Sequence, residues 1–428
     1  MNTLQFFTPF HLTIAVLVLS TLFFIRGKVR SDMVAVCVLL ALMLSGILTP
    51  SEALAGFSSS IVIMMVGLFV VGAGIFRTGV AKMVGARIVK LAGKNDDLLF
   101  IMVMLVTACI GTFISNTGTV AMMMPIVMSM VAGTGKNVRR YLMPLAFASA
   151  MGLFTLISTP PNLVIQEAII NAGYKPLSFF SFAPVGAIVV TVGVFMLFFL
   201  SRLLCNHRED KKHNGTVLNP DSDEATKISL HKKAPVAAVI MVAMIIMLVL
   251  NVIPAVISVL SSAILMVVTG CLRNMDEAYE SINWQVVVLI GAMLPMATAF
   301  EKTGTTLFIT DTLLHITGDM RPYLLLAVIY GCASLCTLFL SNTTTAILFS
   351  PIALQAAIVT NTSPYPLLFG VAVAASMCFA SPFSTPPNAL VMSAGKYTFI
   401  DYVKVGLPLQ IVMGIVMVCL LPLVFPFY

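Results

Sequence analysis

Apolar residues fall in long unbroken runs along this chain, near 9–25, 33–48, 60–76, 182–201, 234–253, 256–272, 284–300 and 404–427. Each is about long enough to cross ~30 Å of hydrocarbon as a helix. Two further runs, near 141–172 and 365–398, are interrupted by Pro pairs, and two pairs of shorter apolar arms meet at the polar triplet Ser-Asn-Thr. The pattern predicts an all-α polytopic membrane protein. The first run has no basic residue before it and no small-residue cleavage pattern after it, so it is expected to stay as the first span.

Shifting the chain against itself by 225 or 226 residues aligns four landmarks. Glu52-Ala53 meets Glu277-Ala278, and Thr78-Gly79 meets Thr303-Gly304. SNTGT at 115–119 meets SNTTT at 341–345, STPPN at 158–162 meets STPPN at 384–388, and Pro125 pairs with Pro351. This predicts a first repeat over 1–205, a cytoplasmic linker over 206–233 and a second repeat over 234–428. Each repeat reads as three spans, an amphipathic surface helix, a hairpin, a Pro-broken span and a last span. The hairpins are expected at about 98–132 and 321–360, and the broken helices at about 141–172 and 365–398. If the hairpins are re-entrant, each repeat crosses five times, and an odd count inverts the second copy.

Charge tests that count. With the N-terminus outside, all of the 24 Lys and Arg except Lys175, Lys302 and Arg321 fall on the cytoplasmic side, as the positive-inside rule requires. Both termini are then external, and a cell (inner) membrane location is expected. Only 10% of residues are charged, against about 25% in soluble domains, and mean hydropathy is +1.03, which excludes a water-soluble enzyme. The net charge of +7 sits in short loops, so it signals topology and no nucleic-acid partner. The eight cysteines read as core thiols. No His lies within a motif and no catalytic carboxylate pair marks a span, which leaves an intramembrane enzyme without machinery. An anion channel would need a continuous polar pore.

Polar triplets between apolar arms are costly, because an unpaired buried polar group loses about 2–7 kcal/mol against water. Read as ligands, Ser, Asn and Thr at a hairpin tip add hydroxyl and amide donors to the N–H groups that begin the second arm, and so hold an anion. Paired prolines break a helix and free carbonyl oxygens suited to a hard cation such as Na⁺. Neither the arms nor the break cores contain Lys, Arg, Asp or Glu, apart from Glu167 and Arg321 near their ends. A bound anion is therefore balanced by dipoles and co-bound cations, the physical argument for symport. Glu167 is the best candidate for a proton relay.

These paired motifs, together with Ala375–Val391 around the second STPPN, resemble the divalent anion/sodium symporter family, which includes dicarboxylate, citrate and sulfate transporters. The resemblance covers nearly the whole chain, and Phe383 departs where an aliphatic residue is usual. It implies anion contacts from Ser115, Asn116, Thr117, Ser341, Asn342 and Thr343, with Thr159 and Thr385 close by. It implies one Na⁺ site from Ser115, Asn116 and carbonyls near Ser158, and a second from Thr337, Ser341, Asn342 and carbonyls near Ser384. Sodium is the coupling ion and no cofactor is expected. Two departures stand out: Ser158 and Ser384 replace the family's usual Gly or Ala, and Gly111 stands where the second copy has Thr337, so the second site is expected to be tighter. The family forms homodimers and works by an elevator motion on a small divalent anion, C4-dicarboxylate-like here. A sulfate or other inorganic-anion permease, an arsenite-type permease and a sodium-independent exchanger are alternatives.

Overall fold

The computed structural model describes residues 9–26, 29–79, 95–132, 137–203, 233–250, 253–305, 322–382 and 385–428. The expected surface helices, the linker, Ser384 and Phe383 lie outside the described residues, apart from Lys233 at the linker's end. Every regular element among those described is helical. The first half runs α1 (Pro9–Arg26), α2 (Ser31–Leu44), α3 (Pro50–Leu54), α4 (Ser60–Thr78), α5 (Asp96–Gly111), α6 (Asn116–Ala132), α7 (Arg139–Ala150), α8 (Pro160–Asn171) and α9 (Ala183–Leu203). The second half follows the same order with α10 (Ala234–Leu250), α11 (Ala255–Val268), α12 (Met275–Glu280), α13 (Trp284–Met293), α14 (Met296–Lys302), α15 (Pro322–Cys336), α16 (Asn342–Val359), α17 (Pro364–Ser376), α18 (Pro386–Gly395) and α19 (Phe399–Val424). Among the described residues, five stretches are long and apolar enough to span a membrane: 50–78, 183–202, 284–302, 342–359 and 399–424.

Two differences from the sequence reading have physical causes. The run at 284–300 is not one helix, because Leu294 and Pro295 interrupt it between α13 and α14; proline has no N–H to donate to the preceding turn. The Pro pairs do not occupy the breaks either. They form the first turn of α8 and of α18, where the missing N–H groups have no intrahelical partner in any case. The breaks precede them, at 151–159 and from 377 through the described residues up to 382.

The halves interlock. Helix α2 packs on α13 and α4 on α11, so this group is built across the two halves, and α9 packs on α19. The cysteines are not uniformly core thiols: Cys271 and Cys378 are buried, but Cys37, Cys109, Cys332 and Cys419 are exposed on helix surfaces. Apolar side chains facing hydrocarbon lose nothing by exposure, so thiols need not be buried.

Candidate functional site

Each Ser-Asn-Thr triplet sits where an arm ends and a new helix begins. Asn116 opens α6 and Asn342 opens α16. Ser341 is the N-cap of α16, its hydroxyl accepting from the Thr344 amide at 3.2 Å and lying 2.7 Å from the Thr344 hydroxyl. Ser115 repeats the motif with one bond fewer, accepting from Gly118 N at 3.2 Å. The capping serines satisfy part of the orphan N–H set that every helix start exposes. Ser115 is exposed, Asn116, Thr117, Ser341 and Asn342 are half-buried and Thr343 is buried.

The amide oxygens of the two tips have unusual surroundings. Asn116 Oδ1 is buried and has no hydrogen-bond partner. Asn342 Oδ1 lies 3.2 Å from Thr337 Oγ1, but that hydroxyl is also 2.8 Å from the Ala375 carbonyl. A hydroxyl has one proton. It is shared between two acceptors here, the shorter arm going to Ala375 and the longer to Asn342, so the Asn342 oxygen is weakly satisfied.

Behind each tip lies a break, closed by the asparagine of its pentapeptide. Asn162 Nδ2 donates to Thr155 O at 3.0 Å and to Ser158 Oγ at 3.1 Å. Asn388 Nδ2 donates to Cys378 O at 3.1 Å and to Ser381 O at 3.0 Å. Thr155 ties the first break to its hairpin through Thr112 O at 2.8 Å, and Cys378 ties the second to Thr337 O at 3.1 Å. The sequence reading passed over Asn162 and Asn388. Their signal was available: a buried amide in an apolar run needs partners, and the same amide recurs in both pentapeptides.

Several of the expected residues are brought together. Thr159 Oγ1 lies 3.3 Å from Ser376 Oγ, so the first break touches the end of α17, where the second break begins. Helix α16 packs against α17 of its own half and α8 of the other; α6 likewise packs against α7 and α18. Tips and breaks thus form one cross-braced cluster. Ser158 uses its hydroxyl within its own break, on Thr155 O at 2.9 Å. Glu167 accepts from Ser59, the N-cap of α4, at 3.1 Å. A cavity of about 410 Å³ between α15 and α19, lined in part by Tyr330, Ser334, Leu338 and Gln410, includes neither triplet.

Comparison with known proteins fits this architecture. The citrate transporter family (CitMHS) matches residues 21–360 and 332–428. An uncharacterized transporter of Escherichia coli, YfbS, is 25% identical over 97% of this chain and 99% of its own length. That alignment spans 603 positions, more than the 428 residues here, so the relative carries inserted sequence that this chain does without. The sodium-dependent dicarboxylate transporter SdcS of Staphylococcus saprophyticus is 22% identical over 86% of this chain and 77% of its own. The Alcanivorax borkumensis YdaH transporter shares the fold, with a TM-score of 0.65 at 14% identity over 97% of this chain and 98% of that one. The Neisseria gonorrhoeae MtrF structure does so at 0.62, with 15% identity over 98% and 95%. An integral multi-pass membrane protein with these helices and these relatives is a transporter and not an enzyme, and the chain belongs to the citrate transporter family, of the divalent anion/sodium symporter kind.

Proposed function

We propose that this transporter carries a small divalent anion, C4-dicarboxylate-like, together with sodium, between the two Ser-Asn-Thr tips. The observation that carries the proposal is the state of the tip amides: Asn116 Oδ1 is buried without a donor, and Asn342 Oδ1 takes the longer, 3.2 Å arm of a Thr337 hydroxyl that also reaches the Ala375 carbonyl at 2.8 Å. A buried acceptor without a donor costs about 1–3 kcal/mol, and a bound cation removes that cost. One Na⁺ is held by Ser115, Asn116 and carbonyls near Ser158. The other is held by Thr337, Ser341, Asn342 and carbonyls near Ser384. The anion lies against the same tips, with Thr117, Thr343, Thr159 and Thr385 completing its shell. Since no basic side chain lies in the arms or break cores, the cations supply its counter-charge. The name of the SdcS relatives points the same way. The hairpins and broken helices move as one body past α2, α4, α11 and α13 in an elevator motion, in a homodimer with external termini.

Calorimetry of succinate, citrate and sulfate binding across a sodium titration, at fixed pH and ionic strength, tests this. Sodium is expected to raise affinity for a dicarboxylate, reciprocally with the anion's effect on sodium. Sodium-independent binding would replace symport with exchange, and binding of sulfate alone would replace the substrate.

A further inference from the structure

The second break carries a clamp that the first lacks. Helix α19 passes so close to it that a Cβ on Gly406 would overlap the Phe379 carbonyl. Helix α9 meets the first break in the same way, a Cβ on Gly186 lying 2.6 Å from Leu153 O. One turn further along each helix, on the same face, stands Val190 in one half and Gln410 in the other. Both are buried, at 6% and 5% exposure, but only the glutamine has polar atoms to offer the break. Gln410 Oε1 accepts from Phe379 N at 3.4 Å and Ala380 N at 3.3 Å. Its Nε2 donates to Ser334 O at 2.8 Å and lies 2.7 Å from the Ser334 hydroxyl. One side chain thus joins α19, the second break and α15, the first arm of the second hairpin.

We propose that Gln410 is a positioning residue for the second cation site, fixing the break's backbone against the arm that carries Thr337. Ser334 precedes Thr337 by three residues, and Phe379 follows Cys378, which itself donates to Thr337 O. The clamp therefore brackets the proposed ligands on both sides without touching anion or cation. Free N–H groups at membrane depth need an acceptor, and a primary amide gives one while donating from its other end. The first break turns on itself instead, Leu153 N bonding Met151 O at 2.7 Å. Break two carries the clamp in addition to its asparagine; break one, beside a valine, relies on Asn162, Thr155 and backbone bonds such as Leu156 N to Phe179 O. The link to a cation site rests on the proposed function, but the clamp itself does not.

Hydrogen–deuterium exchange of the full-length protein in nanodiscs tests the clamp, and uptake by proteoliposomes tests its role. In Gln410→Leu, peptides covering 377–382 are expected to exchange about tenfold faster for loss of the two bonds, with those over 151–156 unchanged. Gln410→Asn, one methylene too short to reach both partners, is expected to behave alike and serves should the leucine variant not fold. Half-saturating sodium is expected to rise about tenfold with maximal rate nearly kept, since lost positioning weakens binding before turnover. Gln410→Glu, buried and so held in its protonated form, keeps an acceptor for Phe379 N and Ala380 N and an O–H for Ser334 O, and is expected to restore slow exchange and most of the sodium affinity. If wild type ignores sodium, the coupling reading falls; the clamp is then judged by exchange and by the same shift in anion half-saturation. Unchanged exchange at 377–382 in the leucine and asparagine variants overturns it. So does a loss of maximal rate, equal in leucine and glutamate variants, with half-saturation unmoved.

Discussion

Two positions, each glycine in one tip and threonine in the other, make the halves of the site unequal. Thr337 and Thr344 bring hydroxyls to the second tip, one bonded to Ala375 O and one beside Ser341, while Gly111 and Gly118 bring none to the first. Gly111 is more than an absent ligand, because a Cβ there would lie 2.5 Å from Ser149 O. Gly111→Ala is therefore expected to lower stability, by about 1–3 kcal/mol of overpacking, read as a fall in thermal midpoint. Thr337→Val keeps the size but strands the Ala375 carbonyl at a similar cost, and is expected to raise the sodium concentration needed for uptake. Asn116→Ala gives a sharper separation. Its Oδ1 has no donor to lose, so the ligand-free protein should melt near wild type while uptake is abolished; appreciable uptake would remove this tip from the site. The missing hydroxyl at 111 was legible in the sequence. The approach of Ser149 was not, since packing between segments far apart in the chain sets it.

At the scale of elements, the pentapeptides do two jobs that the letters do not separate. Their prolines start a half-helix, and their asparagines hold shut the preceding break by reaching back seven residues, from Asn162 to Thr155 and from Asn388 to Ser381. The sequence predicted an interruption in each broken span; α7 ends at Ala150 before α8 starts at Pro160, and α17 ends at Ser376 before α18 starts at Pro386. It did not show on which side of the prolines the gap lies, because Pro is compatible with either side of a helix boundary. Asn388→Ala is expected to strand the carbonyls of Cys378 and Ser381 at about 1–3 kcal/mol each. Asn162→Ala strands neither of its partners, since the Ser158 hydroxyl still donates to Thr155 O at 2.9 Å, so its melting temperature should fall less. Equal and negligible shifts would show that neither amide closes its break.

At the scale of the whole molecule, ion pairs cross between the halves. Arg77, at the end of α4, pairs with Glu277 of α12 at 3.1 Å, and Lys302, at the end of α14, pairs with Glu52 of α3 at 2.6 Å. These are the same two positions of the repeat exchanged, since 77 and 52 map onto 302 and 277 at an offset of 225. Other long-range polar contacts join residues that the positive-inside count puts on one side: Arg139 with Asp401 at 2.9 Å, Arg202 with Asp97 at 3.3 Å, and Tyr365 OH with Lys175 O at 2.9 Å. Each hairpin also begins and ends at one place. Asp96 and Asp97, before the first hairpin, bond Arg140 after it. Tyr323, opening the second, packs on Phe427, whose carbonyl accepts from Ser363 beyond its far end at 2.8 Å.

The proposed function takes the halves as inverted, and inversion makes a demand on the crossed pairs. If both halves ran the same way across the membrane, Arg77–Glu277 and Lys302–Glu52 would lie on one side. Inverted, they lie on opposite sides, the first pair cytoplasmic and the second external. Glu277→Cys and Glu52→Cys, each in a background freed of the native cysteines because four of those are exposed, separate the cases. A membrane-impermeant thiol reagent applied to whole cells should label position 52 and spare 277, and inside-out vesicles should reverse the result. Both glutamates sit at the surface of short helices, with side chains about one-third exposed, so removing either costs an exposed pair, about 0–1 kcal/mol, and a bond to the chain before its helix, from Thr49 N to Glu52 or from Arg273 N to Glu277, about 0.5–1.5 kcal/mol; folding is expected to survive. Labelling of both positions from one side would sink the inverted arrangement and, with it, the placement of the two tips as approaches from opposite faces.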